Sequence, residues 1–350
     1  MNILRRILSA TFAVCAFVTS FVVVSRPTGF ESEPLVSTFS IVAIDPSNGD
    51  VGVAVQSKFP NVRPIVPWAK AGVGAIATQS FANVSYGPRG LALMENGATA
   101  EQALRALLGS DSGRDKRQVG IVDAKGNSAS WSGNECFDWA GGIVGAGMQT
   151  TEISGGKGVV IAGNGFAAQG NILVGKETVE ALARVFKETK GSLADRLVAA
   201  LVAGGKAGGD RRGEQSAALL VKRKAAGYDS TFDDLVDISI YDHAHPLQEL
   251  QRLYQLHTLY FYKSHPENLM PISPEVCKEL QGILKDKSYK GREFYSGAVN
   301  GAFDEATKKG LQDFMGWENY DVRIRDDDKI DKEVLTDIRR LYKEFKSKKN

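Results

Sequence analysis

The sequence predicts an α+β fold of stacked strand and helix layers, followed by a small all-α domain. Three observations carry that reading. β-Branched runs come first and in hairpin pairs, capped helices stand between strands without strict alternation, and the chain turns wholly helical beyond residue 270.

Residues 38–44 (TFSIVAI) and 51–56 (VGVAVQ) flank Asp45-Pro46-Ser47-Asn48-Gly49-Asp50, a segment dense in turn formers, and predict a hairpin with a long loop. The first strand is apolar on both faces, as in a strand covered on both sides. Residues 72–78 predict a third strand. Helical spacing follows at 90–95 and at 99–108, the latter with Glu101 in its first turn. A second hairpin joins 118–123 to 128–131 around Ala124-Lys125-Gly126-Asn127, and 159–162 reads as a short strand. Two helices span 176–190 and 192–203. Ser192 suits the N-cap of the second, and Asp195 three residues on approximates a capping box. Strands return at 216–222 and 235–241. Residues 246–262 then place Leu247, Leu250, Leu253, Tyr254 and His257 along one helical stripe. Turn formers at 264–268 and prolines at 271 and 274 read as a linker, and 272–346 as a second domain whose core is thin for its size.

A chain of 350 residues has room for two domains and one substantial core. The formal charge of +2, with no Lys/Arg cluster interleaved with aromatics, argues against a nucleic-acid partner. Arg5 and Arg6 precede an uncharged, mostly apolar run over 7–24 that Arg26-Pro27 breaks. Residues 1–25 therefore read as a signal peptide or a membrane anchor, and the protein as exported to the periplasm, the envelope or the medium. Beyond that segment only Cys136 and Cys277 remain; they are not spaced as a metal site, and their pairing stays open.

The blocks TFSIVAIDPSNGDVGVAVQSKFP (38–60), VPWAKAGVGAIATQSFAN (66–83), YGPRGLALM (86–94), RQVGIVD (117–123), QGNILVG (169–175), GGDRRGEQSAALLV (208–221) and DISIYDHAHPLQELQRL (237–253) recur in order in a bacterial family. Residues 38–263 resemble that family, called domain of unknown function 1028 and assigned to the N-terminal-nucleophile (Ntn) hydrolases. The resemblance implies a four-layer αββα sandwich in which Thr38 opens the first strand. It also implies an amidase or peptidase whose nucleophile is the Thr38 hydroxyl and whose base is that residue's own α-amine, with a pKa of about 7.7–8.0. Such chemistry requires cleavage of the Ser37–Thr38 bond; were the cut one residue earlier, Ser37 would take the role. Lys58, twenty residues on, closes the hairpin's second strand and either depresses the amine's pKa or is a solvated strand-end lysine. Thr78, Gln79 and Ser80 end the third strand as candidate substrate contacts. Asn171, in a glycine-bracketed turn, is the candidate oxyanion donor. Asp210 and Arg211 either hold a substrate carboxylate or pair with each other. Asp242, His243 and His245 crowd three ligands into four residues, poor geometry for a metal, and no metal or cofactor is expected.

In the C-terminal region Leu280-Gln281, Leu284, Gly291, Gly301-Ala302-Phe303-Asp304, Thr307, Leu311 and Phe314 resemble peptidoglycan-binding repeat domains, which are three-helix units. The expected protein is thus an exported amide-bond hydrolase acting on a small amide or peptide and held at the cell wall through peptidoglycan. The alternative is a non-catalytic envelope-binding protein, and a homo-oligomer stays open.

Overall fold

The structure is a computed structural model that describes residues 35–36, 38–146, 150–154 and 157–348. The expected leader (residues 1–25) and Ser37 lie outside the described residues. In chain order the first domain runs β1 (Leu35–Val36), β2 (Thr38–Asp45), β3 (Asp50–Ser57), β4 (Pro67–Lys70), β5 (Gly74–Phe81), α1 (Tyr86–Glu95), α2 (Ala100–Gly109), β6 (Arg117–Asp123), β7 (Asn127–Ser132), β8 (Gly141–Ala146), β9 (Thr150–Ser154), β10 (Val160–Asn164), β11 (Phe166–Asn171), α3 (Glu177–Glu188), α4 (Leu193–Lys206), β12 (Ser216–Lys222), β13 (Asp234–Ile240) and α5 (Pro246–Phe261).

Among the described residues, hydrogen bonding links these strands in the order β1-β5-β6-β7-β10-β8-β11-β2-β3-β12-β13, with β4 on β5 and β9 on β8. Every pairing is antiparallel except a single parallel bridge, Asn164 to Ala146. Strand alternation then sorts the side chains. On β2, Phe39, Ile41 and Ala43 turn to one side, where they pack with Leu182 of α3, Leu197 of α4 and Leu250 of α5. Val42 and Ile44 turn to the other side and meet Val53 and Val55 of β3 together with Ala75, Ala77 and Val122 from β5 and β6. Across β5 and β6, Ile76 and Ile121 pack with Leu104 and Leu107 of α2. Each such fully buried aliphatic side chain contributes roughly 1.5–3 kcal/mol. The predicted capping box forms: the Ser192 hydroxyl accepts from Asp195 N, and the Asp195 carboxylate accepts from Ser192 N at 2.9 Å.

Two glycine-containing strands were not among those expected from the sequence. Residues 141–146 and 166–171 are strands, because their glycines sit where neighbours come too close for a side chain. A Cβ on Gly145 would lie 2.4 Å from the Phe166 ring, and one on Gly170 2.5 Å from Leu173. Flanking glycines made Asn171 look like a turn residue; close packing places it in a strand.

The C-terminal domain holds α6 (Pro274–Lys285), α7 (Lys287–Lys290), α8 (Glu305–Trp317) and α9 (Lys332–Ser347). It is not purely helical. Strands β14 (Leu269–Pro271) and β15 (Lys329–Asp331) pair antiparallel, Leu269 opposite Asp331. Part of the expected linker is therefore a strand. Leu259 of α5 joins the same core as Leu280, Leu284, Phe314 and Leu335. The Arg323 guanidinium donates to Asp331 at 2.5 Å and to the Thr258 carbonyl at 2.8 Å. Tyr260 and Tyr320 stack with centroids 5.5 Å apart. The motif residues explain themselves. Gln281 is buried, donates to the Ala302 carbonyl and Thr307 Oγ1 at 3.0 Å, and accepts from Asn300 N and Gly301 N. Asp304 caps α8 through the Thr307 amide at 2.8 Å. Cys136 and Cys277 are both buried and unpaired with each other.

Candidate active site

Thr38 begins β2, between β3 and β11. Its ladder partners are Ser57 on one side and Asn171 on the other. Period-two alternation puts Thr38 and Ser40 on the face that continues to Val42 and Ile44, between the strand layers. There a run of buried amides and hydroxyls replaces the aliphatic packing. Thr38 Oγ1 donates to Ser57 Oγ at 3.0 Å, and the Thr38 carbonyl accepts from Gln79 Nε2 at 3.1 Å. Ser40 donates to Gln79 Oε1 at 2.7 Å and accepts from Gln169 Nε2 at 2.6 Å. Gln118 is the hub. Its Oε1 accepts from Gln79 Nε2 and Asn171 Nδ2 at 2.8 and 2.9 Å; its Nε2 donates to Ser132 Oγ and the Gly170 carbonyl, each at 2.7 Å. All of these side chains are buried, and none ionises near neutral pH. Gly120 makes room for Gln169, whose Oε1 would stand 2.1 Å from a Cβ there.

Thr38, Gln79 and Asn171 are thus brought together. Asn171 is not in a turn, as its flanking glycines suggested, but is the last residue of β11; the turn starts at Ile172, whose φ is 52°. Thr78 is buried and bonds the Asn83 carbonyl through Oγ1 at 3.3 Å. Ser80 is buried with a left-handed φ of 68°, opposite Arg117 on β6 and Val36 on β1. Its hydroxyl is buried without a hydrogen-bond partner among the described residues, and burial pushes up the pKa of the Cys136 thiol.

Ser57 faces Thr38 across the ladder, and Lys58 stands one residue beyond. Lys58 is exposed, its ammonium 3.4 Å from the Glu214 carbonyl and its backbone N–H donating to Asp210 at 3.0 Å. The charged pair is Asp210–Arg212, at 3.1 Å, and not Asp210–Arg211. Arg211 instead bonds the Leu173 carbonyl at 3.2 Å and, through its N–H, the Ile172 carbonyl. The β-bridge between Leu173 and Asp210 sets this register. His245 forms the N-cap position of α5, and its N–H donates to His243 Nδ1 at 3.0 Å. Among the described residues no cluster of His, Cys, Asp or Glu could hold a metal.

Beside the β5 terminus lies a second buried polar cluster. Arg117 bonds Asp111 at 3.0 Å and the Phe81 carbonyl at 2.7 Å, while Tyr86 and Asn83 donate to the same carboxylate. Burial pushes the Asp111 carboxyl up, yet the hydrogen bonds from Arg117, Asn83 and Tyr86 outweigh it and hold it well below the usual range. Burial, then Asp111, raises the Tyr86 phenol.

Sequence reasoning passed over Ser57, Gln118 and Gln169. The signal was present: a glutamine amid the apolar alternation of a buried strand must satisfy both ends of its amide inside the protein.

A mixed α/β domain with a buried polar centre between strand layers, joined to a mainly helical unit, is the class of protein defined so far. Residues 38–250 match the model of a family described as "Family of unknown function (DUF1028)". The match spans more than half of the chain, and the chain belongs to this family. Residues 260–337 match the model described as "Putative peptidoglycan binding domain", which fits association with the cell wall. Among solved structures, a crystal structure of a protein of the same family from Silicibacter pomeroyi aligns with a TM-score of 0.53 at 28% identity, covering 63% of this chain and 86% of that one. No curated protein matches. Among the described residues no helix is long and apolar enough to cross a membrane.

Proposed function

We propose that the first domain is an Ntn-type amide-bond hydrolase, a four-layer αββα sandwich activated by cleavage before Thr38, and that it works on a small amide or peptide at the cell wall. The observation that carries the reading is the buried centre itself. A threonine hydroxyl opens a central strand among neutral amides and hydroxyls, none of which can take its proton at neutral pH. An α-amine freed at Thr38 would supply the missing base. Three aliphatic clusters, helix against strand, strand against strand and strand against helix, support the layered fold.

In the proposed reaction Thr38 Oγ1 attacks the substrate carbonyl carbon while the α-amine accepts the hydroxyl proton. The carbonyl π pair moves onto oxygen, and Asn171, opposite Thr38 on β11, is the amide assigned to that oxyanion. Collapse breaks the C–N bond, and the ammonium returns its proton to the departing amine. Water then hydrolyses the ester by the same relay. Lys58 is assigned to lower the amine's pKa. Thr78, Gln79 and Ser80 are assigned to the substrate side, as are Asp210 and Arg211 at the rim. In the uncleaved chain β1, Leu35–Val36, pairs with Phe81 and Ser80 of β5.

The test is the mature N-terminus. Intact-mass measurement of the purified protein should find a chain starting at Thr38, and Thr38→Ala should abolish both that processing and amidase activity. A start near residue 26, unchanged on long incubation, would sink the mechanism.

A further inference from the structure

A cleft of about 880 Å³ opens where the loop between β12 and β13 meets the end of α5, and Val322 of the C-terminal domain lines it as well. None of its lining residues belongs to the Thr38 network. Two of its lining residues each carry a buried polar atom, His257 Nε2 and Tyr262 Oη, without a hydrogen-bond partner among the described residues. Burial lowers the His257 pKa, and burial with Asp195 and Asp50 pushes the Tyr262 phenol up to about 12, so both groups are neutral at pH 7. Buried polar groups normally have partners, and two orphans in one cleft mark a place for a hydroxylated ligand. The rim adds two aromatic faces: Phe232 is 63% exposed and Phe261 52%. It also adds two cations, Lys224 and Lys263, which form no ion pair among the described residues, while the lining acids Asp234 and Asp237 are held by Lys222 and Arg63.

Aromatic faces suit the C–H faces of sugar rings, neutral imidazole and phenol suit sugar hydroxyls, and unpaired lysines suit carboxylates. We infer that this cleft binds a carboxylate-bearing glycan, with the β12–β13 loop of the first domain and the C-terminal domain forming one surface. The inference rests on the peptidoglycan reading of residues 260–337 and extends the binding surface into the other domain.

The test is equilibrium binding of soluble, muramidase-released glycan fragments to the full chain. Phe232→Ala removes an exposed ring, so its fold should survive, and binding should weaken by about tenfold or more; Lys263→Ala should weaken it for carboxylated fragments, and neutral N-acetylglucosamine oligomers should bind the wild type less tightly. Thr38→Ala should bind as the wild type does. Wild-type affinity in both Phe232→Ala and Lys263→Ala overturns this site alone. A wild-type chain that binds no glycan overturns the peptidoglycan reading with it, and neither result bears on hydrolysis at Thr38.

Discussion

Replacing Gln118 by methionine preserves much of the side-chain volume and removes the hub of the buried network. The structure sets the cost. Gln118 Oε1 receives bonds from Gln79 and Asn171, and its Nε2 serves Ser132 and the Gly170 carbonyl, all at 2.7–2.9 Å and all buried. Gln79 keeps its bond to the Thr38 carbonyl, so it is not wholly stranded. One or two groups are left to lose a partner without gaining water, at about 1–3 kcal/mol each, which gives a loss of roughly 1–6 kcal/mol. For a domain of this size 1 kcal/mol shifts Tm by about 2–4 °C, so the melting temperature should fall by about 2–24 °C. Urea titration followed by circular dichroism measures both, and an unchanged m value would assign the effect to the folded state. A loss below about 1 kcal/mol would refute the reasoning, since it would mean that the partners re-pair or reach water.

Other outcomes follow from the same geometry. Gly120→Ala pushes a methyl group against Gln169 and should cost about 1–3 kcal/mol; a melting curve that superposes on the wild type's would show that Gln169 can yield. Asp111 has a depressed pKa, so its contribution is present above its unfolded pKa of about 3.9 and is lost as pH falls below it. Asp111→Asn should therefore be less stable at neutral pH and should lose part of the wild type's acid slope; parallel stability–pH curves would count against this. Arg323→Met leaves Asp331 buried without its main cation and should destabilise the C-terminal core by about 3–5 kcal/mol in urea, an effect that a neutral outcome would contradict.

The hairpin of β2 and β3, the capped helix α4 and the helical stripe of α5 were legible because local signals and burial agree there. The strands β8 and β11 were not, since glycine reports close approach only once the neighbour is known. Thr38, Gln79 and Asn171 could be named from the sequence, but what joins them is Gln118, and that connection depends on register across three pairs of strands. Asp210 could equally have paired with either arginine beside it. The bridge to Leu173 decides for Arg212.

The Arg323 bond to Thr258, the Tyr260–Tyr320 stack and the shared core residue Leu259 join the C-terminal domain to α5. A flexible leash would let a tethered domain sweep a volume and meet many bonds weakly. This junction acts as a bracket instead. Were the helical domain held at the wall, the reach of the first domain would be set by this joint more than by the length of a linker.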